Sequence, residues 1–174
     1  DKNQRAQLRE ALFDIIAKNA SALVADGYKD VKKKAEIFFK KEVRQFHEDM
    51  SALDQEIKKE TIEPEAAEKK TATLINELLL KGNDLEKTVN DERSMKKIKQ
   101  LFREITGCWY YKSPILKMAY DKPQGYPGDY KLFDMIYDKK PVAEENTLGL
   151  YYDNYFLNNG YACAARARKN KMKN

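Results

Sequence analysis

The hydrophobic positions of residues 1–107 recur with the period of an α-helix. The clearest series falls in a predicted second helix from about Lys29 to Thr61, which would be about 45 Å long. Such a helix either overhangs its neighbours or bends near its middle. Its apolar positions follow a 4-3-4-3-4 spacing, which predicts one continuous apolar seam. The seam residues are Phe39, Val43, Phe46, Met50, Leu53 and Ile57.

Three further amphipathic helices are predicted in the same region. The first covers about residues 5–25, with Leu8, Leu12, Ile15, Ile16, Leu23 and Val24 largely on one face. The third begins at Pro64 and ends at Lys81-Gly82. Asn83 or Asp84 would then cap a fourth helix that carries Leu85, Val89, Met95, Ile98, Phe102 and Ile105. Short connections between four such helices predict an antiparallel four-helix bundle over residues 1–107.

The composition changes at Gly107. Ten of the eleven tyrosines, the single tryptophan and four of the five prolines come after it. Short helices are predicted at 114–120, 130–137 and 144–157, and a last one from Tyr161 to the C-terminus. The predicted fold is therefore all-α, with residues 108–174 forming a second domain. This domain would be a Tyr/Gly/Pro-rich helical cap that ends in a basic linker helix.

The charge distribution argues against a nucleic-acid partner. The net charge is +5, and five basic residues lie after Ala165, which leaves 28 basic against 28 acidic residues before that point. A nucleic-acid binder usually carries a basic stripe across its folded body, whereas this excess is one short tail.

The hydropathy and the cysteines predict a cytoplasmic protein. No apolar run reaches the length of a membrane span, and the N-terminal residues do not resemble a signal peptide. Cys108 and Cys163 lie far apart in the sequence, and free buried thiols in a reducing compartment are the expected state.

The sequence offers no catalytic, metal or cofactor residue of a recognisable kind. His47 is the only histidine, and no carboxylate or thiol lies three or four residues away, so it is expected at the surface or at the edge of the core. None of the four serines sits in a nucleophile-elbow sequence. Gly125 and Gly128 match neither the P-loop nor the dinucleotide-binding spacing.

The segment between Asp121 and Tyr137 contains a loop that is a candidate functional site. Its prolines stiffen the chain, while Gly125 and Gly128 permit positive φ or a close backbone approach. One interpretation is a rigid turn that docks a short helix capped by Asp129. The other is a binding loop in which Tyr126, Asp129 and Tyr130 face a cleft and orient a polar substrate.

This loop carries a family resemblance. The segment Lys122-Pro-Gln-Gly-Tyr-Pro-Gly-Asp-Tyr-Lys-Leu-Phe-Asp-Met-Ile-Tyr137 resembles a "K-P-x-G-Y-x-G-D-Y-x-x-x-x-x-I-Y" segment of bacterial class I S-adenosylmethionine-dependent methyltransferases. Some of these make 3-hydroxy fatty acid methyl esters for cell–cell signalling. The similarity covers roughly residues 108–170 and extends to the basic helix at Ala164-Ala-Arg-Ala-Arg-Lys169. Residues 1–105 match only as a variable helical region.

The resemblance implies an N-terminal helical domain that caps the substrate side of a catalytic domain in cis. The motif positions are Gly125, Tyr126, Gly128, Asp129 and Tyr130, and they are the candidate substrate-binding residues. The chain ends at Asn174, where the Rossmann-like domain is expected to begin. S-adenosylmethionine is thus the expected cofactor of the full-length protein. This segment alone is not expected to catalyse a reaction.

A second hypothesis belongs to a different class. The chain would be a stand-alone sensory or protein-interaction bundle whose seam from Phe39 to Ile57 pairs with a partner helix, for instance in a homodimer.

Overall fold

A computed structural model describes residues 2–26, 28–89, 91–121 and 130–172. Within these ranges the chain forms helices and connecting turns without a strand, which confirms the all-α prediction. The helices are α1 (Lys2–Ala22), α2 (Lys29–Ile37), a π-helical segment (Phe38–Val43), α3 (Arg44–Lys58), α4 (Pro64–Thr88), α5 (Glu92–Tyr110), α6 (Pro114–Asp121), α7 (Tyr130–Asp138), α8 (Leu148–Leu157) and α9 (Gly160–Met172).

The predicted second helix is α2, the π-helical segment and α3 without an interruption. All six predicted seam residues, from Phe39 to Ile57, are buried, so the seam prediction is confirmed. The departure from α-helical geometry falls near the middle of the helix, where Ala35, Phe39 and Val43 are buried at successive intervals of four. Four residues exceed one α-helical turn and fall short of one π turn, so a π segment keeps these side chains aligned.

The predicted break at Gly82 is wrong, because α4 continues through it to Thr88. The buried positions Ile75, Leu78 and Leu85 keep one helical face across Gly82, and this packing outweighs the glycine's low helix propensity. The predicted caps Asn83 and Asp84 therefore lie inside α4. The next helix, α5, is capped by Asp91, whose carboxylate accepts hydrogen bonds from the backbone N–H of Arg93 at 3.3 Å and of Ser94 at 3.0 Å.

The buried face of the first helix agrees with the prediction at Ile16 and Val24 and differs from it at other positions. Phe13, Ile16, Ala17, Ala20 and Val24 are buried, whereas Leu8, Leu12 and Ile15 are 65%, 53% and 58% exposed. Both sets have helical spacing, so the spacing alone does not decide which side of α1 faces the core. The Phe13–Ala20 side is buried because α2 and the π-helical segment pack on it.

Helix α8 starts later than predicted, at Leu148 instead of residue 144. Asn146 adopts a left-handed conformation with φ of 56°, which ends any helical run before it. Thr147 then acts as the N-cap, since its hydroxyl accepts a hydrogen bond from the Leu150 backbone N–H at 3.4 Å. The other short helices, α6, α7 and α9, begin within one residue of their predicted starts.

The chain divides into two compact units that are not consecutive segments. Unit 1 is Asp1–Asp49 with Leu74–Thr106, and unit 2 is Met50–Thr73 with Gly107–Asn174. In unit 2, α6 packs on α7 and α8, and α9 packs on α7 and α8. The four-helix-bundle arrangement and the predicted domains 1–107 and 108–174 stay predictions. The hydrophobic core of the short helices consists of Ile115, Leu132, Ile136, Leu157, Ala162 and Ala165.

Candidate functional site

Only one of the five predicted substrate-binding residues lies in the described part of the chain. Gly125, Tyr126, Gly128 and Asp129, including the predicted Asp129 cap, lie outside the described residues. Tyr130 is the first residue of α7 and its side chain is 57% exposed. The part of the site that can be described therefore starts from the face of α7 on which Tyr130 lies.

Two faces of α7 have different surroundings. Leu132 and Ile136 are buried in the unit 2 core. Tyr130, Phe133 and Tyr137 recur at intervals of three and four, so they share the other face. The Phe133 and Tyr137 rings lie 5.8 Å apart between centroids. The exposed motif residue thus continues into an aromatic stripe along the helix.

This aromatic stripe forms one wall of a groove, and α9 forms the other. The groove between α7 and α9 has a volume of about 500 Å³. Tyr161, the pair Ala164–Ala165 and Arg168 recur along α9 with helical spacing and expose a single side to the groove. We call this feature the α7–α9 groove; its lining residues are Phe133, Tyr137, Tyr161, Ala164, Ala165, Arg168 and Lys169.

The α7–α9 groove combines an apolar floor with positive charge. The Lys169 Nζ atom lies 4.1 Å from the centroid of the Tyr137 ring, a cation–π contact that orients the ammonium group over the groove wall. Arg168 is exposed beside it. No carboxylate is among the described lining residues. Such a surface suits a ligand that carries an anionic group on an apolar body.

Arg166, from the same basic run, has a different role. Its guanidinium donates a hydrogen bond to the Ile136 backbone carbonyl at 3.3 Å and contacts Cys163 Sγ at 3.3 Å. Arg166 therefore ties α9 to the end of α7 and supports the groove. The sequence predicts the basic residues of α9 as a short tail on a linker helix and does not predict their position at a groove. The spacing of Tyr161, Ala165 and Arg168 was the available signal.

A buried carboxylate organises another part of unit 2, around α6 and α8. Asp153 on α8 is 0% exposed. It accepts a hydrogen bond from the Ser113 hydroxyl. It also accepts hydrogen bonds from the backbone N–H groups of Val142 and Ala143, and these two bonds are both 2.8 Å long. Ser113 also caps α6, accepting a bond from Leu116 N–H at 3.0 Å. Because Asp153 is fully buried and its partners are groups of the same chain, its role is structural.

Several tyrosines belong to the core instead of a site. Tyr151 and Tyr152 on α8 are buried. Burial raises the pKa of the Tyr152 hydroxyl far above its usual value, and that hydroxyl lies 3.9 Å from Met50 Sδ. Tyr152 therefore stays protonated and is unsuited to act as a base.

His47 packs at the edge of the unit 1 core, as expected. Its ring lies 5.4 Å from the Phe13 ring. No group of three or more metal-ligating side chains occurs among the described residues, so His47 belongs to no such cluster there. Burial is the main cause that lowers the pKa of His47. A hydrogen bond with the Ile105 backbone opposes this shift, and the Arg9 charge adds to it.

The lowered pKa of His47 predicts a loss of stability on acidification. Because the folded state binds the proton less readily than the unfolded chain, whose imidazole titrates near 6.5, stability is full above that pH. The free energy of unfolding decreases as the pH falls from 6.5 toward the lower pKa of His47 in the folded state. Thermal unfolding at pH 7.5 and 5.5 measures this effect. His47→Gln should weaken the dependence between these values, since His47 is the only histidine; an unchanged dependence would contradict the assignment.

Two further sequence predictions concern the cysteines and membrane-spanning helices. Cys108 and Cys163 form no disulfide, and both are exposed, so the expectation that they are buried is wrong. Within the described ranges, no helix has the length and apolar character that a membrane span requires.

No family model, curated protein or solved structure matches this chain.

Proposed function

We propose that the chain is the N-terminal helical domain of a bacterial, cytoplasmic S-adenosylmethionine-dependent methyltransferase. Its Tyr-rich short helices would cap the substrate side of a catalytic domain that lies outside this chain. The α7–α9 groove carries the proposal. Two of its lining residues, Phe133 and Tyr137, belong to the segment that resembles the methyltransferase motif, and they share the face of α7 that begins at Tyr130.

Methyl transfer gives such a cap a physical task. The acceptor attacks a sulfonium methyl group in line, so the reaction depends on the positioning of the acceptor and on the exclusion of water. A helical cap with aromatic and cationic side chains can hold the acceptor without providing chemical groups of its own. The cofactor would bind in the catalytic domain.

The groove also limits the class of acceptor. Phe133, Tyr137 and the two alanines of α9 offer an apolar surface, and Arg168 and Lys169 offer positive charge. A molecule with a carboxylate or a phosphate on an apolar body satisfies both. A neutral sugar or a polycation satisfies neither.

The first test is the coding sequence beyond Asn174. A predicted strand followed by Glu/Asp-x-Gly-x-Gly, the cofactor loop of class I methyltransferases, would support the proposal. A stop codon directly after Asn174 would refute it.

The second test is kinetic and uses the full-length protein. Lys169→Gln should raise the KM for an anionic acceptor about tenfold, because a hydrogen bond to a charged group contributes roughly 1.5 kcal/mol. Lys171→Gln is the matched control, since it removes the same charge from the same helix away from the groove lining. Equal KM values for the two variants would exclude the groove as the acceptor site.

A second candidate function, protein interaction through α1, has one observation in its favour. The seam from Phe39 to Ile57 is buried within the chain and is not a free surface. Leu8, Leu12 and Ile15 instead form an exposed apolar stripe at helical spacing. Sedimentation of the chain at high concentration tests this candidate. A dimer that Leu12→Glu dissociates would support it, and a monomer at all concentrations would oppose it.

A further inference from the structure

Unit 1 contains an apolar cavity that the proposed function does not use. It lies between the π-helical segment, α4 and α5, and its volume is about 120 Å³. Its interior is formed by aromatic and aliphatic side chains. The residues that matter here are Phe38, Gly82, Leu85, Met95, Ile98 and Phe102.

Two irregularities of helical structure border this cavity. The first is the π-helical segment, which begins at Phe38. π-Helical turns are rare and frequently occur at functional sites. The second is Gly82, a glycine in the interior of α4, where glycine disfavours the helix relative to alanine. The length and the apolar face of α4 do not require a glycine at this position.

Steric crowding does not explain Gly82. A Cβ atom added there would lie 3.8 Å from Phe38 Cζ, which is an ordinary van der Waals contact. An alanine would therefore fit, and any larger side chain would enter the cavity. The effect of the glycine is to leave the cavity empty of protein atoms beside the Phe38 ring.

The walls and the rim define the ligand chemistry. The Phe38 and Phe102 rings lie 6.0 Å apart at an angle of 33° and provide two aromatic surfaces. The charged residues of the lining are Glu86 and Lys99, which form a salt bridge with each other between α4 and α5. Because these two charges already compensate each other, a charged ligand would gain no partner there.

We propose that this cavity binds a small, uncharged, apolar molecule of about the size of a single aromatic ring. An apolar cavity of about 150 Å³ in another protein stays dry and binds benzene. The volume here, about 120 Å³, is of the same order, which limits the ligand to a single small ring. The site is independent of the α7–α9 groove: it lies in unit 1, and the groove lies in unit 2.

Toluene and benzoate are suitable probes. The chain is titrated with each of them, and binding is measured from the changes in its amide chemical shifts. Toluene should bind saturably and shift the amides of α4 and α5 around Gly82, whereas benzoate should bind at least tenfold more weakly. Gly82→Leu should weaken toluene binding at least tenfold by filling the cavity. Gly160→Leu is the matched control, because a Cβ at Gly160 meets nothing within 4 Å, and it should leave binding unchanged.

A cavity-enlarging variant keeps the test decisive if Gly82→Leu does not fold. Met95→Ala should shift the preference from toluene toward naphthalene, because it removes a side chain from the lining. Shifts that do not saturate, equal binding of toluene and benzoate, or an unchanged preference in Met95→Ala would overturn the proposal.

Discussion

Replacing Asp153 with alanine should lower the free energy of unfolding by about 3–5 kcal/mol, since the carboxylate is fully buried and a hydrogen bond to a charged group contributes about 1.5–3 kcal/mol. The variant removes the acceptor of the Ser113 hydroxyl and of the Val142 and Ala143 N–H groups. The hydroxyl can rotate toward another acceptor, but the two backbone groups cannot. The loss would therefore fall mainly on the segment before α8.

Urea denaturation measures this loss. Asp134→Ala is the matched control, because Asp134 is exposed on α7 and should change stability by less than about 0.5 kcal/mol. Asp153→Asn should lie between the two, since its amide oxygen still accepts while its NH₂ group introduces donors that need partners. A loss below about 1 kcal/mol in Asp153→Ala would show that water replaces the carboxylate and that the network is not a structural anchor.

Gly149→Ala should destabilise the chain by about 3 kcal/mol, the upper part of the usual range for overpacking. Gly149 is buried near the start of α8. An added Cβ would overlap the backbone carbonyl oxygen of Lys112, lie 3.0 Å from its carbonyl carbon and lie 3.2 Å from Ala143 Cβ. Because the obstacle is backbone, no rotamer change relieves the overlap.

The same substitution at Gly160 provides the control for Gly149→Ala. A Cβ there is unobstructed, and alanine favours the helix over glycine, so stability should stay the same or rise slightly. Chemical denaturation of the two variants side by side separates the steric effect from the general effect of glycine replacement. Equal stabilities would mean that α8 shifts away from Lys112 without cost.

The sequence predicted helices well where the hydrophobic period was long and unambiguous. The six seam residues from Phe39 to Ile57 are all buried, and α6 and α7 begin at the predicted residues, Pro114 and Tyr130. The hydrophobic period did not predict the whole buried face of α1, because two faces of this helix carry apolar residues. Phe13, Ala17 and Ala20 are buried and Leu12 is exposed, because the choice depends on which helices pack beside α1.

The candidate site was only partly accessible to sequence reasoning. Tyr130 was identified from the motif, but the partners of its helix face, Arg168 and Lys169, lie about forty residues away in α9. Only tertiary packing brings α7 and α9 together. The prediction of a helix end at Gly82 was wrong for a different reason. The low helix propensity of glycine indicated a break, whereas the apolar face of α4 continues across Gly82.

The π-helical segment has a consequence for how the chain length can vary. A π turn inside a helix is equivalent to an α-helix that holds one additional residue. Phe38–Val43 therefore marks a place where a single residue can be gained or lost while α2 and α3 keep their orientation about the shared axis. Related chains that lack one residue at this point would carry a regular helix there. Without the widened turn, the backbone around Phe38 would repack, and the cavity beside it should be reduced or absent in those chains.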